Sequence, residues 1–87
     1  MHAVVVRVSI SDVESAEAAL QNEVVPRASG APGFVAGYWT RKDNGGLSMI
    51  VYESEENAQA VAGMIPSGMP EGVTLDDVEV REVVANA

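Results

Sequence analysis

The sequence predicts an α+β domain in which an antiparallel sheet of four strands carries two helices, and three observations predict it. A near-continuous apolar run, AVVVRVSI from Ala3 to Ile10, opens the chain. A strong hairpin signal, Asp43-Asn44-Gly45-Gly46, separates two runs rich in aromatic and β-branched residues. Amphipathic segments with capping residues at their starts stand before and after that hairpin, and a valine-rich run closes the chain. Strand, helix, strand, strand, helix, strand is the split βαβ order of a ferredoxin-like plait. Residues 1–87 form a single domain.

Ala3 to Ile10 suits a central strand covered on both faces, since burial is what rewards an unbroken apolar run. Arg7 interrupts it. By alternation it shares a face with Ala3, Val5 and Ser9, opposite Val4, Val6 and Val8. A cation there needs a partner, water or a ligand. Ser11-Asp12-Val13-Glu14 then reads as a capping box with Ser11 as N-cap. The helix it starts has an apolar stripe of Val13, Ala16, Leu20 and Val24. Val25-Pro26 weakens that helix, because the residue before proline disfavours α geometry. Pro26 to Ala31 reads as a connector.

Pro32-Gly33 turns the chain into the second strand, Phe34 to Thr40. Either Asn44-Gly45 or Gly45-Gly46 serves as the hairpin turn, pairing Trp39 with Ile50 or with Tyr52 respectively. Both registers have the same parity. One face therefore holds Val35, Gly37, Trp39, Arg41, Ser48, Ile50 and Tyr52, mixing aromatics with hydrogen-bonding groups. The other holds Phe34, Ala36, Tyr38, Thr40, Leu47, Met49 and Val51, and is almost wholly apolar. Something is expected to cover each face.

Ser54 caps the second helix, and Glu55 and Glu56 favour the positive end of its dipole. Ala58, Val61, Ala62 and Ile65 recur at helical spacing, and Pro66 stops the pattern. Ser67 to Gly72 reads as a loop. In the last strand, from Val73 to Val84, Val78, Val80 and Val84 oppose Asp77, Glu79 and Arg81. That is the pattern of an edge strand with one wet side. Asp76 and Asp77 point to opposite faces of a regular strand and so do not chelate one ion.

Thirteen acidic against five basic residues give a net charge of −8, which excludes nucleic acid and anionic membranes as partners. The chain has no cysteine and a single histidine, His2, so no metal site is expected. No apolar run reaches the roughly 20 residues that span a bilayer. Met1-His2 lacks the basic region of a signal peptide, so a soluble cytoplasmic protein is expected. A chain this short buries only about 60–65% of its unfolded surface, and helices cover only one sheet face. A homodimer that closes the second faces together is the expected assembly.

PGFVAGYW, VYESEENAQA and VEVREVVA together resemble the antibiotic biosynthesis monooxygenase superfamily, over Val4 to Val84. The resemblance implies a dimeric α+β barrel with a pocket between sheet and helices in each protomer. Haem-degrading members carry Trp-Glu-Ser where this chain has Tyr52-Glu53-Ser54. Their iron-ligating histidine falls near Val61 or Ala62, where this chain has none, so no cofactor is expected. The cofactor-independent quinol-type members hold a phenol with tryptophan, tyrosine, arginine and asparagine. That likeness makes Arg7, Trp39 and Tyr52 the expected ligand-binding residues, with Arg7 on an oxyanion and the two rings stacked on the ligand. No catalytic residue is identified, since no His, Asp or Glu stands on that face to act as base. The expected function is a small dimeric barrel protein with a pocket for an aromatic ligand. The alternative is a cofactor-independent quinol or phenol monooxygenase.

Overall fold

In a computed structural model covering all 87 residues, the expected plait is present. Strand β1 (His2–Ile10) lies between β3 (Gly45–Tyr52) and β4 (Val73–Glu82), with β2 (Phe34–Lys42) beyond β3. The sheet order is β2-β3-β1-β4 and every pairing is antiparallel. The valine run is therefore central and the charged last strand is at an edge. Helices α1 (Val13–Ala19), α2 (Val25–Ser29) and α3 (Glu55–Met64) complete the order. The core lies on the face that carries Val4, Val6, Ile50 and Tyr52, against Ala28, Ala58 and Val61 from the helices. No helix is long and apolar enough to cross a membrane.

The first helix starts one residue later than its capping box predicts. Asp12 is the N-cap and accepts from the Ser15 N–H at 3.2 Å. Ser11 is committed elsewhere, its N–H and hydroxyl both donating to the Gly72 carbonyl at 2.8 and 3.1 Å. The helix also continues through Pro26. A π-turn, Leu20–Val24, joins α1 to α2, and the Val25 N–H reaches back to the Leu20 carbonyl. Widening the helix just before Pro26 makes room for a ring that would otherwise strike the preceding turn. Ser54 caps α3 as expected, accepting from the Asn57 N–H at 3.1 Å.

The hairpin turns on Asp43-Asn44, so Trp39 pairs with Ser48, which corrects the two expected registers by two and by four residues respectively. The left-handed backbone falls on Asp43, at φ 54°, a residue that tolerates it. Gly45 and Gly46 belong instead to β3. Gly46 is needed there because a Cβ would stand 2.6 Å from Val8 Cγ2. Asn44 ties the tip to β1 through its side-chain amide and its carbonyl, both bonded to Ile10.

Two bulges break the strict alternation. In β2 the register shifts between Phe34 and Ala36, which puts Phe34 opposite Tyr52 on the helix-facing side instead of the open side. In β4 it shifts at Asp76, opposite Arg7 and Val8. Asp76 there accepts a 2.6 Å hydrogen bond from Ser9 on the open face, the face that Asp77 also occupies. The alternation that was to separate the two aspartates does not hold at this point.

Candidate functional site

A cavity of about 450 Å³ opens between the helix-facing side of the sheet and the helices. That volume falls within the range of small-ligand pockets, roughly 300–1,000 Å³. Val6, Val8 and Ile50 floor it, Leu20 and Val24 close one side, and Val61 and Ile65 close another. The space exists because small residues, Gly46 and Ser48, line the sheet end of this face. The π-turn contributes Leu20, Gln21 and Val24 together, so the widened stretch of helix is itself part of the wall.

Trp39 stands in the cavity wall, and its pose depends on Gly37. A Cβ on Gly37 would lie 2.6 Å from Trp39 Cη2 and 2.8 Å from Cζ3, so the indole folds back over its own strand. Gly37→Ala must swing the ring away. We expect a shifted Trp39 emission maximum and a loss of about 1–3 kcal/mol of stability, as for overpacking. An unchanged emission spectrum would show that the ring does not rest there.

The polar groups sit at the exposed rim. Arg41 Nε donates to Glu17 Oε1 at 3.1 Å and its Nη1 to the Asp43 carbonyl at 2.9 Å, linking the hairpin to α1. Side chains 41% and 55% exposed make this pair worth no more than about 1 kcal/mol. Arg27, in the last turn of α2, also lines the cavity.

Of the expected ligand-binding residues, Trp39 alone lies in this cavity. Tyr52 shares its face but is wholly buried, its hydroxyl donating to the Ala28 carbonyl at 3.0 Å. Phe34 meets it edge-on, ring centroids 6.0 Å apart. Burial holds the Tyr52 phenol above its ordinary pKa of 10.0. Arg7 lies on the opposite side of the sheet. β1 pairs with β3 so that His2, Val4 and Val6 stand across from Tyr52, Ile50 and Ser48. Arg7 faces Leu47 and Asp77 instead, exposed on the open face. The trio is therefore not one site.

Three rim residues, Glu17, Arg27 and Arg41, went unassigned on sequence. Arg41 already shared a face with Trp39 by parity, and Glu17 follows Val13 by one helical turn. Arg27 continues the Leu20, Val24 stripe, a signal lost when the helix is ended at Pro26.

Among solved structures the chain is similar to MupZ from Pseudomonas fluorescens, with a TM-score of 0.66 at 15% identity. The match covers 91% of this chain and 65% of that one, so this chain spans just under two thirds of its length. It is also similar to a dimeric ferredoxin-like protein from an uncultured marine organism, with a TM-score of 0.62 at 12% identity. There the match covers 100% of this chain and 98% of the other. Identities this low bear out the ferredoxin-like fold and carry no chemistry with it. No protein-family model and no curated protein matches the sequence.

Proposed function

We propose that this protein is a homodimeric α+β barrel of the antibiotic biosynthesis monooxygenase type whose cavity binds a small planar aromatic ligand. The observation that carries this reading is the apolar cavity of about 450 Å³ with Trp39 in its wall and guanidinium groups at its rim. An apolar lining with a few polar groups is how pockets for such ligands are built. The likeness to a dimeric ferredoxin-like protein and the apolar open face support the pairing of two copies. Trp39 is the single tryptophan, so its fluorescence reports the cavity without interference. Phenols and quinols should quench or shift it saturably. If no aromatic compound perturbs Trp39, the ligand reading falls.

Glu17 favours a second reading, cofactor-independent oxygenation of a quinol or phenol. Alternation on the strands offers no base, but α1 brings the Glu17 carboxylate to the cavity rim beside Arg41. Glu17 would take the phenolic proton, and Arg41 would hold the resulting anion. Oxygen uptake with quinols that vanishes in Glu17→Gln supports this reading. Uptake indifferent to Glu17, or none at all, removes it.

A further inference from the structure

Resting on the ligand reading above, we infer that the cavity selects an amphipathic monoanion, an apolar or aromatic body with one carboxylate, and that Arg27 is the residue that reads the charge. Two cations line the cavity, and they are not equivalent. Arg41 is occupied, bonded to Glu17 and to the Asp43 carbonyl. Arg27 forms no ion pair, and none of its donors meets a protein acceptor. Arg7 and Lys42 likewise form no ion pair, and of these three unpaired side chains Arg27 alone lines the apolar cavity.

The exposed guanidinium also reaches the neighbouring loop. A Cβ on Gly68 would stand 2.8 Å from Arg27 Nη1, so the group lies tight against the backbone of the 3-10 turn Pro66–Gly68. That turn lines the same cavity through Gly68 and the following Met69 and Pro70. Arg27 therefore bridges the end of α2 and the loop above the cavity, with its fork of N–H donors free. A planar fork of this kind binds a carboxylate through two parallel hydrogen bonds. The acidic remainder of the protein repels stray anions, so an anion is retained only where it also has apolar surface to bury.

The test uses one isosteric pair, 4-tert-butylbenzoate and its neutral amide 4-tert-butylbenzamide, titrated against Trp39 fluorescence. The intact protein should bind the benzoate about five- to tenfold more tightly, the low end for a charge-assisted pair because the rim is exposed. Arg27→Gln should erase that preference and leave the amide affinity unchanged. Lys42→Gln, which removes an equal charge outside the cavity, should keep the preference. Added salt should shrink it.

Equal binding of acid and amide to the intact protein overturns the proposal while the ligand cavity stands. Equal weakening of both compounds by Arg27→Gln also overturns it, because Arg27 is then a packing residue at a helix end. A preference that Lys42→Gln abolishes assigns the effect to overall charge and overturns it likewise. If neither compound binds, this inference fails, and the ligand reading fails with it only if phenols and quinols also leave Trp39 unperturbed.

Discussion

Tyr52→Ala is expected to destabilise the protein strongly. Tyr52 is one of two large side chains with no exposed surface, the other being Val4, and it joins the sheet to α2 and to Phe34. Deleting a buried aromatic costs about 3–5 kcal/mol. A domain of 87 residues has roughly 4–13 kcal/mol in all, so the loss takes from about a quarter of the stability to all of it. Tyr52→Phe separates the ring from its hydroxyl. The Ala28 carbonyl keeps a second donor, the Ala31 N–H at 3.3 Å, so the loss should be only about 1 kcal/mol. For a domain of this size that lowers the melting temperature by about 4–8 °C.

The same hydroxyl predicts a pH dependence. Its pKa is raised by burial, so the folded chain holds the phenolic proton more tightly than the unfolded chain does. The stability this confers is complete below the unfolded pKa of about 10 and is lost as pH climbs through the raised value. Denaturant melts at about pH 8 and about pH 11 should show the loss in the natural protein and a smaller one in Tyr52→Phe. An equal alkaline loss in both would place its origin elsewhere.

Element types and their order were legible because β1 is a near-continuous apolar run, β2 and β3 are rich in aromatic and β-branched residues around a turn signal, and α3 repeats its apolar residues at period 3.6. Register was less so. Gly45-Gly46 looks like a turn, yet both lie in β3 and Gly46 is required by the closeness of Val8, which no local pattern reveals. A bulge is a single extra residue with no compositional mark, so the crossing of Phe34 and the displacement of Asp76 were invisible. In the site, parity put Trp39 and Tyr52 on one face correctly. Parity does not say which of two neighbours a helix will seal, and α2 seals Tyr52 through the Ala28 carbonyl. Arg7 was joined to them by likeness to other proteins, against its own alternation. Arg27 was hidden because a proline usually ends a helix, and here a π-turn lets the helix pass it.

The open sheet face carries the second large effect. Ala3 and Val5 at its centre are nearly covered by their neighbours, while Tyr38, Leu47 and Met49 remain 70%, 44% and 47% exposed. A contiguous apolar surface on so small a chain is what a second copy would bury. Light scattering at micromolar concentration should therefore give twice the 9.1 kDa chain mass. Met49→Asp is the cleaner probe, since half-exposed Met49 contributes less to the protomer's own packing than half-buried Val51 does. A twofold pairing would put two unpaired carboxylates into the interface, at about 3–5 kcal/mol apiece. Even one such penalty raises the dissociation constant more than a hundredfold. The variant should scatter as a single chain or lose its circular dichroism, whereas Gln59→Asp, on the exposed face of α3, should remain a folded dimer. A natural protein that is well folded as a monomer at these concentrations would refute the barrel, and so would a Met49→Asp variant that still pairs.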